Sequence, residues 1–175
     1  FLKKRFISTD NETAYIHKVK VTDTELAMLA LEKEAQHFIY HVCIFSLNAF
    51  DCKAGKNNPF SLSPLFEPEK LPGKYEYIKH LHGEVQTYSI RLQNATADKE
   101  QQSRIHQLIS SFRNSMYAAK NIKDALPDID QLKKSSNDLK FEFYLRTKKR
   151  VGNFIERAIA LLGADPIPSN FEQLS

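Results

Sequence analysis

Residues 22–51 read TDTELAMLALEKEAQHFIYHVCIFSLNAFD, and the spacing of the apolar side chains in this stretch decides the fold class. Met28, Leu31, Ala35, Phe38, Val42, Phe45 and Ala49 follow one another at steps of three and four, which places them on one stripe of a helix. Thr22-Asp23-Thr24-Glu25 in front of them has the form of a capping box, in which a hydroxyl and a carboxylate satisfy the free amides of a first turn. The spacing therefore predicts a long helix over residues 24–51.

Working outward, the same period returns twice more upstream of residue 130. Ile78, Leu81, Val85, Tyr88, Leu92 and Ala95 predict a helix over about 74–96. Ile105, Leu108, Phe112, Ser115, Ala119, Ile122, Leu126 and Ile129 predict a third, with Asp98 as its N-cap and a kink at Pro127. Ser135-Ser136-Asn137-Asp138 marks a boundary and supplies caps for a fourth helix, which carries Tyr144, Val151, Ile155, Ala158 and Leu162 and ends near Gly163. Between the first two helices, Pro59, Pro64, Pro68 and Pro72 with Asn57-Asn58 interrupt any regular element, so residues 51–73 read as a loop. Residues 1–21 lack helical period and read as an arm or linker. The expected organisation is an N-terminal arm at 1–21, a bundle at 22–165 with the proline-rich loop 51–73 inserted, and a tail at 166–175. Helices of matched length with short connections predict an all-α, antiparallel up-down bundle of about four long helices.

Composition agrees. The chain has 175 residues, 42% of them hydrophobic, enough for one domain with a real core. Its five glycines are few, which argues against phosphate-cradling loops, dinucleotide-binding turns and multi-hairpin β folds. Lys+Arg number 25 against 21 Asp+Glu, a net charge of +4. That mild excess, with no basic motif interleaved with aromatics, speaks against nucleic acid as a partner. Two cysteines cannot form a disulfide framework, and Cys43 within an apolar helix reads as a small buried hydrophobe. The stretch from Phe38 to Phe50 falls well short of the ~20 apolar residues that a membrane-spanning helix needs. The chain begins at Phe1 rather than Met, so it reads as a part of something longer.

Few side chains suggest chemistry. Glu34-Ala35-Gln36-His37 has the E-x-x-H form used in di-iron bundles, but such a site needs a second copy and two more glutamates, which are absent. The register places Glu34 at the flank of the core stripe and His37 outward, so both are expected at the surface. Asp124 and Asp128, one turn apart, can share a surface divalent metal, and Lys120 and Lys123 stand close enough to neutralise them instead. The six histidines are scattered, and no Ser-His-Asp or Cys-His spacing appears. The chain is expected not to be an enzyme and to require no cofactor. Arg146, Lys148, Lys149 and Arg150 form a dense basic run, with Lys3-Lys4-Arg5 a second, and such clusters are drawn to anionic membrane surfaces.

Two groups of residues carry a family likeness. One is Val21-Thr22-Asp23-Thr24-Glu25-Leu26-Ala27-Met28 with Ala30-Leu31-Glu32-Lys33-Glu34. The other is Arg104-Ile105-His106, then Met116-Tyr117-Ala118-Ala119-Lys120-Asn121-Ile122-Lys123-Asp124, then Ser135-Ser136-Asn137. Their order and spacing, over about residues 20–140, resemble the PhoU-like cytoplasmic region that follows the membrane domain of bacterial sodium/phosphate cotransporters. The resemblance implies a non-catalytic regulatory domain on the cytoplasmic side of the cell membrane that modulates sodium-dependent phosphate transport. Its partners would be the transmembrane part of the same transporter chain, an anionic membrane surface and, through an exposed face, a second copy of itself. PhoU proteins carry acidic D-x-x-x-D-type motifs that bind metal. Aligned by apolar register, those positions fall on Lys123 and Pro127, and a one-residue shift of about 100° around the helix is needed to reach Asp124 and Asp128. The alternative reading is a stand-alone metal-binding helical-bundle protein or metal-dependent enzyme, with Asp124, Asp128 and Glu34 as ligands.

Overall fold

The computed structural model describes residues 12–55 and 59–164, and within them every regular element is helical. The four long helices are α1 (Thr24–Ala49), α2 (Leu71–Ala95), α3 (Lys99–Lys133) and α4 (Asp138–Gly163), preceded by one 3-10 turn at Ile16–Lys18. They form the expected all-α up-down bundle. α1 lies at its centre, packed against α2, α3 and α4, while α4 touches α1 and α3 from the side opposite α2. The predicted tail 166–175, the run Lys3-Lys4-Arg5 and the Asn57-Asn58 turn lie outside the described residues.

Local chemistry explains each helix start. Asp23, not Thr22, caps α1, its Oδ1 accepting the Leu26 N–H at 3.2 Å. Asp98 caps α3 by accepting the Gln101 N–H at 2.8 Å, as expected, and Asn137 caps α4 by accepting the Lys140 N–H at 3.1 Å. α2 begins three residues earlier than its apolar period suggests, because Pro72 sits in its first turn. There the missing N–H would have no partner in any case, so the ring costs nothing and fixes φ at a helical value. α3 continues through Pro127 as one helix of 35 residues.

The stripes pack as the period requires. Leu31, Phe38, Phe45, Ile78, Leu81, Val85, Ile105 and Phe112 are almost wholly removed from water, and they join one core. A smaller cluster of Ala49, Phe50, Ile129 and Tyr144 closes the end of the bundle where α3 turns into α4. Ala95, expected on the α2 stripe, is exposed, and Thr96 just past the helix end is buried instead.

Two expectations fail on the same physical ground. Glu34 is fully buried and His37 nearly so, with side-chain exposures of 0% and 11%. The 51–73 loop is also more than a connection: Phe66 within it is fully buried in the core. Both follow from α1 having no solvent face along much of its length. α2, α3 and α4 cover three of its sides, and the segments 12–19 and 59–66 cover the rest.

Candidate interaction surface on α4

The buried histidines and glutamate of the polar interior are the groups best suited to catalysis by type. The Glu34 carboxylate accepts three successive backbone N–H groups, from Ala14 (3.0 Å), Tyr15 (2.7 Å) and Ile16 (3.1 Å). Tyr77 Oη donates to the Glu12 carbonyl at 2.8 Å. Its one proton is thereby spent, so His37 Nε2, 3.2 Å away, is the donor in the His37–Tyr77 bond. His41 donates from Nδ1 to the His37 carbonyl at 2.7 Å and accepts the Ser63 N–H on Nε2 at 3.0 Å. Burial, reinforced by the neighbouring His37, pushes the His41 pKa down to about 3, and burial lowers that of His37 as well. A cleft of about 260 Å³ opens beside this network between the 12–15 and 59–64 segments. The groups themselves are committed: both oxygens of Glu34 tie the arm to α1, His41 Nε2 ties the loop to it, and His41 Nδ1 is bonded within the helix. Among the described residues, every buried side-chain nitrogen and oxygen has a hydrogen-bond partner.

Asp124 and Asp128, the pair that could share a surface metal or be neutralised by lysines, stand in solvent on α3. Asp124 accepts from Lys120 Nζ at 2.8 Å and from Lys123 Nζ at 3.2 Å, and these ammonium groups, Lys120 first, hold its carboxyl below the usual carboxylate range. Asp128 stands exposed one turn on. Glu34 is on another helix and engaged with the arm. Among the described residues, no three His, Cys, Asp or Glu side chains are grouped to hold a metal ion.

α4 carries the feature that packing does not explain. Its inner face buries Tyr144, Ile159 and Leu162 and half-buries Val151, Ile155 and Ala158, as the period predicts. A helix packed on one side should then be polar on the other. Here Leu139 (74% exposed), Phe143 (53%) and Phe154 (59%) stand in solvent, and Phe141 and Leu145 are exposed beside them. Half of the large apolar side chains exposed among the described residues are on this one helix. Leu139, Phe143, Arg146, Arg150, Phe154 and Arg157 follow at steps of four, three, four, four and three, so they form a single outward stripe. The stripe is apolar and cationic together. α4 has six basic residues against Asp138, Glu142 and Glu156, so most of the chain's +4 resides on it.

The basic run read from the sequence is thus split by the helix. Arg146 and Arg150 lie on the outward stripe, where Arg146 Nε also approaches Glu142 at 3.7 Å. Lys148 and Lys149 turn toward a groove between α4 and the chain that leaves α1, where Lys53 joins them. The run is legible in the sequence, and so is the outward stripe, in the apolar residues that fall outside the core stripe. Lys53 was not legible, because only the fold brings it beside residues almost a hundred positions away.

No protein-family model, curated protein or solved structure matches the chain. No helix among the described residues is long and apolar enough to cross a membrane.

Proposed function

We propose that this chain is a non-catalytic docking module, a helical bundle that lies against an anionic membrane surface on the outward stripe of α4. The observation that carries this reading is the interleaving of Leu139, Phe143 and Phe154 with Arg146, Arg150 and Arg157 on the solvent side of a helix already packed on its other side. Large apolar side chains gathered in solvent on one helix mark an interaction surface. Cations on the same stripe select the partner, because a basic helix with exposed aromatics matches the boundary between lipid headgroups and acyl chains. Three arginines at ~1 kcal/mol each supply about 3 kcal/mol near anionic lipid, roughly a hundredfold in affinity, before any side chain inserts. The motif resemblance supports a finer version, in which the module is a regulatory PhoU-like domain at the cytoplasmic face of a sodium-dependent phosphate transporter. The described interior supports the non-catalytic part of the reading, since its ionisable groups are engaged in holding the fold.

Co-sedimentation with vesicles tests the docking. The chain should pellet with phosphatidylserine-containing vesicles, not with phosphatidylcholine alone, and should release as salt rises, because exposed charges more than ~10 Å apart are screened at 0.1 M. Arg146→Gln, Arg150→Gln and Arg157→Gln together should abolish pelleting while the thermal transition stays in place. Unchanged pelleting of that variant would remove the stripe from the proposed role.

A further inference from the structure

The groove beside the stripe is built rather than incidental. Asp51 adopts a positive φ of 52°, which turns the chain sharply off the end of α1. The turn is then pinned: Tyr144 Oη shares its proton between the Asp51 carboxylate at 3.2 Å and the Phe50 carbonyl at 3.3 Å, Lys133 pairs with Asp51, and the Cys52 N–H donates to the Leu47 carbonyl at 2.8 Å. Cys52 Sγ contacts the Lys148 carbonyl at 3.8 Å, so residues 52–53 rest directly on α4. Gly152 lies beneath them, where a Cβ would stand 3.5 Å from Cys52 Sγ; any larger side chain would fill the groove. The resulting cavity of about 440 Å³ is open to solvent along α4.

Its charge is one-sided. Lys53, Lys148 and Lys149 line it with the Asn153 amide, and Glu156 is the one carboxylate on its wall. Of the acids around the groove, Asp51 pairs with Lys133 while also acting on Lys148 through its charge, Glu142 pairs with Arg146, and Glu156 on the wall remains as the opposing charge. Among the described residues no ion pair joins Lys53, Lys148 or Lys149 to a carboxylate, although Lys120, Lys123, Lys133 and Lys134 all have one. Three ammonium groups from two elements, held on a pinned wall with one opposing charge, match an anion carrying about two charges on compact oxygens. Lysine binds phosphate as a point charge, and an amide donor beside it suits a third oxygen.

We infer that this groove is a headgroup site for a lipid-linked phosphate monoester. It rests on the proposed docking of α4, and it names the lipid that the docked face selects. The lipid follows from position: one residue is about 100° around a helix, so Lys149 and Asn153 flank the stripe that carries Arg150 and Phe154, and a phosphate held beside them lies at the edge of the face that meets a bilayer.

The test uses the full chain and two sets of phosphatidylcholine vesicles, one with phosphatidic acid and one with phosphatidylserine, matched in zeta potential. Phosphatidic acid should bind roughly thirtyfold more tightly, the gain expected from two lysines reaching a second phosphate charge. Lys53→Gln, Lys148→Gln and Lys149→Gln together should bring it down to the phosphatidylserine level, and Asn153→Glu alone should do the same, with both variants folded by circular dichroism. Equal affinity of the unaltered chain for the two vesicles overturns the headgroup site and leaves the docking reading standing. Loss of binding to both vesicle sets overturns the docking reading itself. Removal of the preference by millimolar inorganic phosphate assigns the groove to soluble phosphate and overturns the lipid source.

Discussion

Glu34 shows how a single residue's role depends on what surrounds its helix. Its carboxylate gathers the N–H groups of Ala14, Tyr15 and Ile16, and so fastens the N-terminal arm to the centre of the bundle. Glu34→Gln places an amide NH₂ against those donors and should cost about 2–4 kcal/mol in urea unfolding at pH 7. A loss below ~1 kcal/mol would show that the arm is held by something else. His41 makes stability depend on pH. Its folded pKa, near 3, lies below the ordinary histidine value, so the unfolded chain binds the extra proton as pH falls. The contribution is complete above pH ~6.5 and shrinks steadily below it, by about 2 kcal/mol at pH 5. His37, also lowered by burial and opposed by the charge of Glu34, adds to the same trend, and Lys74 on α2 faces His41 with like charge. Urea midpoints at pH 7 and pH 5 measure it; equal stability at the two values would mean that His41 is not buried neutral. Glu34 and His41 are seven residues apart and therefore share a helical face beside Phe38, a signal present in the sequence. Its meaning was hidden because one apolar stripe suggests one buried face, and a central helix has several.

The helices were largely legible as elements. Apolar period located all four, Asp98 fixed the start of α3 from its side-chain chemistry, and Ser135-Ser136-Asn137-Asp138 bracketed the start of α4, where Asn137 is the residue that caps. Pro72 misled, since proline breaks a helix interior and suits a first turn, and only the fold reveals which of the two applies. The segment between α1 and α2 was the least legible. It has no period, yet Phe66 fills the core against His41 and Tyr77, with ring centroids 4.7 and 5.4 Å away, and Lys74 Nζ lies 4.6 Å from its ring centre. Phe66→Ala should therefore cost about 3–5 kcal/mol, the range for truncating a buried phenylalanine, and a thermal midpoint shift of only a degree or two would contradict that packing. α4 gives the converse lesson. Its inner period is plain in the sequence, and the residues outside that period are the informative ones.

At the scale of the whole molecule, charge and exposed apolar surface are distributed unevenly over a bundle whose interior is closed. The side bearing α2 is polar apart from isolated residues such as Ile90, while α4 gathers aromatics and cations on one edge. This asymmetry predicts an orientation at a membrane, with α4 against the lipid and α2 facing away. Labelling with an environment-sensitive fluorophore reads that orientation directly. Cys43 is buried, its thiol pushed up to about 12 by desolvation, and stays unlabelled in the folded protein; Cys52→Ser removes the other thiol. In that background, single cysteines replace Leu139, Phe154 or, on α2, Ile90. With phosphatidylserine-containing vesicles the probes at 139 and 154 should shift to the blue and become protected from aqueous quencher, while the probe at 90 stays exposed. Equal shifts at all three positions, or no shift on α4, would contradict docking through this helix.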